Sequence, residues 1–159
     1  MPRLDIESIP QSNATGYPEP FDAPVEGRWW RRLAPVGGLT AMGASHVVLK
    51  PGGWSSQRPW HDDEDDLVVM LTGEAVLVED AKSENGGRTV LRPGDVCAWA
   101  KGVRNGHHLI NESDADCSFI AVGAGNQQGS GGYSDIDMTF GGAGYFHKDG
   151  APYPAKRMK

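Results

Sequence analysis

Between residues 28 and 125 the chain is written in short runs of β-branched and aromatic residues. They are "RWWRRLA" (28–34), "LTAMGASHVVLKPG" (39–52), "DLVVML" (66–71), "EAVLVED" (74–80), "RTVLRPG" (88–94), "VCAWAKG" (96–102), "HHLINES" (107–113) and "CSFIAVGAG" (117–125). Each is bounded by Gly, Pro, Asn or Asp, the pattern of a half-buried strand between turns. Nowhere do apolar residues recur at i, i+3, i+4 and i+7 over three turns, so long helices are not expected. Glycine supplies 22 of the 159 residues, about twice ordinary usage. Spread along the chain, these glycines mark turns, as in "LTGE" (71–74), "NGG" (85–87) and "RPGD" (92–95). The fold this predicts is all-β, an antiparallel sandwich or barrel of the jelly-roll type.

The flanks differ. Residues 1–27 are polar, proline-rich and aperiodic, which predicts an extended N-terminal arm lying over the domain or over a neighbouring subunit. Residues 126–159 are glycine-rich with one short "DIDMTF" segment, expected as a loop-rich C-terminal cover or an extra edge strand. A net charge of −6 speaks against nucleic acid and against anionic membrane as partners. No apolar stretch reaches the ~18 residues of a spanning helix, and "MPRLDIESIPQSN" has no apolar signal core. A cytoplasmic location is the expectation. Cys97 and Cys117 sit inside apolar runs and are expected as reduced core thiols.

Five consecutive acids, Asp62 to Asp66, precede the apolar run "LVVML". Such a charge run is usually solvated. In an extended segment, however, positions 59 and 61 share a face, as do 62, 64 and 66. Asp66 is therefore expected to turn inward, with Asp63 and Asp65 left in solvent.

"PGGWSSQRPWHDDEDDLVVMLTGE" and "RPGDVCAWAKGVRNGHHLIN" resemble the two sequence motifs of the cupin superfamily. In the first, a His-x-His pair is followed by a carboxylate and then a glycine, a spacing that falls on His61, Asp66 and Gly73. In the second, a histidine precedes an asparagine, and the spacing falls on His107 and Asn111. The arm with "GYPEPFDAP" and the tail "HKDGAPY" extend the resemblance to a subgroup of small single-domain bacterial cupins labelled sugar-phosphate isomerases. The resemblance implies a single cupin jelly-roll barrel over 28–125 with a metal held by His61, Asp66 and His107. Two imidazoles and one carboxylate with open positions suit a divalent first-row ion: zinc, iron, nickel or manganese. Two positions depart from the family pattern. Pro59 stands where the first histidine of the pair belongs, and Asp66 replaces a glutamate, with Glu64 as a substitute if the strand reaches back that far.

Other residues have competing readings. His108 should face away from His107 as a surface or interface residue, unless the register shifts by one. His46 in "ASHVVL" is either an acid–base group lining the pocket or a hydrogen-bonded strand histidine. His147 is expected at an exposed turn. Trp54, Trp60 and Trp99 are pocket walls or core, with Trp60 directed outward. Arg31, Arg32, Arg58 and Arg104 are anion-binding groups or ordinary surface residues. The glycine-rich segment 123–132 has no following helix and is read as a loop rather than a phosphate cradle. Of Trp29 and Trp30, one must face outward, which with the need to protect edge strands predicts a homodimer. Two functions compete. One is a metal-dependent enzyme acting on a small polar, sugar-like molecule by isomerisation, elimination or oxygen chemistry, and the other is a non-catalytic small-ligand binder. A purely structural dimer ranks third.

Overall fold

The structure is a computed structural model that describes residues 3–80 and 84–156; residues 1–2 of the arm and 157–159 of the tail lie outside the described residues. Its strands are β1 (Arg28–Arg32), β2 (Met42–Leu49), β3 (Pro59–His61), β4 (Glu64–Thr72), β5 (Ala75–Val78) and β6 (Arg88–Leu91). They continue with β7 (Val96–Trp99), β8 (His108–Ile110), β9 (Cys117–Gly125), β10 (Gly131–Tyr133), β11 (Thr139–Gly141) and β12 (Gly144–Phe146). The one α-helical segment among the described residues is the single turn α1 (Leu33–Val36). The predicted all-β jelly roll is what forms.

The strands make three antiparallel sheets. Five are ordered β1-β2-β9-β4-β7, three β6-β5-β8, and four β12-β11-β10-β3. The five-stranded sheet turns alternate residues inward. Val47 and Leu49 on β2, Cys117 and Phe119 on β9, and Val68 and Met70 on β4 pack with Ala75, Leu77, Leu91 and Leu109 of the three-stranded sheet. Both cysteines are free thiols, and burial pushes the Cys117 thiol up to about 11.

The turns follow the chemistry read from the sequence. Asn85, Gly86 and Gly87 take positive φ between β5 and β6. Gly73, the motif glycine, has φ of 68°, and a Cβ there would meet the Asp116 carbonyl and Cys117. Asn111, the other motif residue, is fully buried. Its Nδ2 donates to the carbonyls of Leu49 and Ala115, and its Oδ1 accepts from Ser113 N and Oγ. Both residues build the barrel rather than the site.

The flanks are more structured than their composition implies. The arm bridges its own domain, Ser12 pairing with Trp30. Residues 126–159, expected as a loop-rich cover or an extra edge strand, supply three strands, β10, β11 and β12, which complete a sheet on β3. Glycine hid these strands because it is a poor strand former, yet contact demands it. A Cβ on Gly131 would collide with the Trp60 carbonyl and the Phe140 ring, and one on Gly132 would press on the Trp60 indole. Tyr17, Val25, Tyr133 and Met138 form a second core joining arm and tail. Arg58 clamps the tail: its Nε and Nη2 donate to Asp135 at 2.6 and 2.9 Å, and Nη2 also to Asp80 at 2.8 Å.

Asn111→Ala removes four satisfied hydrogen bonds at a closed position. We expect a loss of about 2–4 kcal/mol, read as a lower urea midpoint with an unchanged m value.

Candidate functional site

The inner face of the five-stranded sheet carries polar groups only toward one end. Along β4 the inward residues are Met70, Val68, Asp66 and Glu64, while Asp63, Asp65 and Leu67 are exposed. Asp65 caps a neighbouring loop through the Lys101 amide, 2.8 Å away. Asp66 lies between Trp99 on β7 and Gly123 on β9. Glu64 lies opposite Gly125, and its carboxylate leans over Gly123, where a Cβ would collide with Glu64 Oε1. The absence of a side chain at 123 leaves room for two carboxylates on adjacent inward positions.

The facing wall brings two imidazoles to the same point. His61 sits on β3, and its Nε2 lies 3.5 Å from Asp66 Oδ2. His107, just before β8, places its Nε2 3.5 Å from that same oxygen. The His107 ring stacks on Trp99 at 3.8 Å with planes 3° apart. Its Nδ1 lies 3.0 Å from the Asn105 carbonyl. A carbonyl only accepts, so Nδ1 donates to it, and Nε2 is the ring nitrogen turned toward the carboxylate. Two imidazole nitrogens thus meet one carboxylate oxygen.

That donor set fits a divalent cation in kind. Two ligands on a tetrahedral ion with bonds of about 2.0–2.1 Å stand roughly 3.3–3.4 Å apart, close to the 3.5 Å observed. Among the described residues, however, no group of three His, Cys, Asp or Glu side chains forms a ready-made metal site. Both imidazoles point at Asp66 itself, so an ion would have to splay them around it. Burial pushes the Glu64 carboxyl upward; His61 opposes that shift and the nearby Asp66 charge adds to it.

The cluster opens into a cavity of about 740 Å³. Pro59 and His61 both line it, Trp60 does not, and Trp60 instead lies beneath Arg104 at 4.8 Å. Phe140 of β11 meets His61 edge-on at 5.1 Å. A smaller recess of about 230 Å³ continues past His61 and Glu64 beneath the 126–129 loop, so the 123–132 segment covers the site.

Two expectations are corrected. His46 does not line the cavity. Gly43, Ser45 and Val47 do, and His46 falls between them on the outer face of β2, opposite Arg31. Burial and the Arg31 charge lower its basicity, and its buried Nδ1 has no hydrogen-bond partner. His108 turns to other partners than His107, but it is buried rather than at the surface and borders the same cavity. Trp54 meets it edge-on at 4.7 Å, and its Nδ1 lies 2.8 Å from the Ser56 carbonyl. What a distant loop would cover was not visible in the sequence.

Sequence reasoning missed Arg28 and the tail aromatics Tyr133, Phe140 and Tyr145, all of which line the cavity. Arg28 had a signal: if Trp30 faces inward, so do Arg28 and Arg32 two positions either side. The tail aromatics had none.

A cupin-domain family profile matches residues 45–123. A crystal structure of a sugar phosphate isomerase of the cupin superfamily from Silicibacter pomeroyi superposes with a TM-score of 0.86 at 35% identity, over 97% of this chain and 98% of that one. A predicted oxalate decarboxylase from Thermotoga maritima is similar at 19% identity and TM-score 0.59, over 77% of this chain and 98% of the other. A polyketide cyclase from Streptomyces resistomycificus is similar at 15% identity and TM-score 0.62, over 78% and 79%. These last two share the fold alone. No curated protein sequence matches the chain.

Because the Glu64 carboxyl is raised in the folded chain, the stability it contributes is complete below the ordinary carboxylate range and is lost as pH rises through its folded value. In chelator-treated protein, Glu64→Gln stays neutral throughout. It should melt above wild type near neutral pH, and the difference should close below about pH 4.3. Melting curves across that range check this.

Proposed function

The chain belongs to the cupin superfamily, and from that premise we propose that it is a metal-dependent enzyme acting on a small polar, sugar-like molecule. His61, Asp66 and His107 would hold the ion. The observation that carries this is the convergence of two imidazole Nε2 atoms on one carboxylate oxygen, each at 3.5 Å, a donor set of the kind that divalent first-row ions take. When bound, zinc, iron, nickel or manganese would supply Lewis acidity toward a substrate oxygen, and iron would also allow oxygen chemistry.

The chain's own residues supply the rest. The Asn105 carbonyl and the Trp99 face fix the His107 ring, so that Nε2 is presented in one orientation. Glu64, with a carboxyl that burial makes a weaker acid, can take and return a proton beside the cluster, as isomerisation or elimination requires. Phe140 and Trp99 wall the cluster and limit the water that reaches it. The name carried by the Silicibacter relative favours isomerisation. A non-catalytic ligand-binding role is the second reading, favoured by Pro59, which leaves the fourth donor position of the motif without a ligand.

A metal inventory separates the two. Pro59 shares the cavity face with His61, so Pro59→His should add a donor and tighten metal retention about 10-fold or more. His107→Ala should lose metal on dialysis. Elemental analysis after dialysis reads both. Three equally metal-free proteins, none stabilised by added Zn²⁺, Ni²⁺, Mn²⁺ or Fe²⁺, would leave the binding role.

We also propose a homodimer. On the outer face of the five-stranded sheet, Leu67 and Leu71 of β4 and Val96 of β7 are exposed, and β7 is an edge strand. Light scattering at micromolar concentration should give twice the chain mass, and Val96→Glu should shift it to monomer. No helix among the described residues is long and apolar enough to cross a membrane.

A further inference from the structure

Arg28 is the inward residue at the start of β1, and it lines the cavity with Tyr17, Tyr133 and Tyr145. Its Nη1 donates to the Ser55 carbonyl at 2.7 Å. Its Nε is buried and has no hydrogen-bond partner. The other arginines of this region are accounted for. Arg58 is paired with Asp135 and Asp80, Arg31 with Glu7, and Arg32 and Arg104 lie over Trp30 and Trp60. Among the described residues no carboxylate pairs with Arg28. Burial lowers its basicity, and the groups that act on its charge are the three tyrosines rather than an acid. A guanidinium withdrawn from water without a counter-ion is strongly unfavourable unless one arrives from outside.

With Nη1 committed to Ser55 and Nε enclosed by the protein, Nη2 is the nitrogen left to donate to an oxygen of a carboxylate or phosphate in the cavity. The Tyr133 hydroxyl donates to that of Tyr17 at 3.3 Å. Burial pushes the Tyr17 hydroxyl up to about 12 and raises those of Tyr133 and Tyr145, so all three stay protonated; the Tyr133 proton is committed to Tyr17, which leaves Tyr145 beside Arg28 as a donor. Phe140 joins the two ends of the cavity, meeting His61 at 5.1 Å and Tyr133 at 5.6 Å. The cavity is thus cationic at one end and rich in acceptors at the other.

We infer that Arg28, with Tyr145, is the binding subsite for an anionic group, phosphate or carboxylate, on the small molecule that enters this cavity. Its polar remainder then reaches toward His61, Asp66 and His107. The inference rests on the cavity being the substrate site, as proposed above, but not on a metal being bound there.

The test is calorimetric titration of wild type, Arg28→Met and Arg28→Lys with inorganic phosphate, acetate, glucose 6-phosphate and glucose. Each is run on protein as purified and after chelation. Wild type should bind at least one of the anions in preference to glucose, and the better of phosphate and acetate identifies the head group. Arg28→Met should weaken that binding about 10-fold or more, and Arg28→Lys should restore it only in part. Free of ligand, Arg28→Met should melt no lower than wild type, since it keeps the aliphatic bulk and removes an uncompensated charge. Should Arg28→Met fail to fold, Arg28→Lys and Tyr145→Phe carry the test, each weakening anion binding in a folded protein. Wild type that binds no anion overturns the inference. Equal anion binding by wild type and the folded variants overturns it too, as does a variant destabilised with its anion affinity intact. Anion binding lost with Arg28 but indifferent to chelation supports the subsite, while the metal reading stands or falls on metal content after dialysis, so the two fail separately.

Discussion

A strand offers the interior only every second side chain, and in this molecule one sheet must use that ration for both core and chemistry. The inward positions of β4 run from Met70 and Val68 to Asp66 and Glu64, apolar residues giving way to acids within two turns of the pleat. Register carries this division across the sheet: Phe119 and Ala121 stand beside Met70 and Val68, Gly123 and Gly125 beside Asp66 and Glu64. A slip of one residue would send the acids to solvent and bring Leu67 and Asp65 inside. The core therefore does more than stabilise the fold. By fixing the register of β4 on β9, it determines which acids can meet the histidines.

The second requirement is a wall opposite that sheet, and the chain takes it from two distant places. β3 supplies His61, and the tail strands supply Tyr133, Phe140 and Tyr145. Arg58 holds these parts together through Asp135 and Asp80. The guanidinium is buried while its two carboxylates are partly exposed, so the clamp adds a directed anchor to the apolar core of Tyr17, Val25, Tyr133 and Met138 that joins arm and tail. Because β10 pairs with β3 directly, Gly131 opposite His61, the position of the tail is transmitted to a member of the site.

How much of this was legible in the sequence depends on the range of the interaction. His61, Asp66 and His107 could be placed because motif spacing and strand alternation are local, and the acid run resolved into inward and outward members by parity alone. Asn111 and Gly73 were legible as motif positions, although their work proved to be hydrogen bonding and backbone geometry. His46 was left between two readings, because nothing local in the sequence says which face of β2 turns inward. His108 was judged by its own strand, whereas its burial comes from Trp54 and Ser56, more than fifty residues earlier. The tail strands were hidden because contact with Trp60 and Phe140 selects glycine at 131 and 132, against strand propensity.

Arg28 and Arg58 show what pairing does to one residue type in one domain. The Arg58 side chain is buried, and Arg28 is half-buried at the cavity wall. Arg58 meets two carboxylates and locks two segments, so its charge is neutralised within the fold. Arg28 meets a single neutral carbonyl and faces tyrosine hydroxyls. A sequence selected for stability alone would place an acid beside Arg28 or replace it with an apolar residue of similar volume, a change that is often neutral or stabilising at buried ion sites. Stability set aside at a cavity wall is the usual mark of a binding surface. The same holds at the far end, where Asp66 and Glu64 stand close enough that the Asp66 charge raises the Glu64 carboxyl. A ligand carrying negative charge toward Arg28, with a cation or a shared proton among the acids, relieves both costs at once. That complementarity ties the two ends of the cavity into one site.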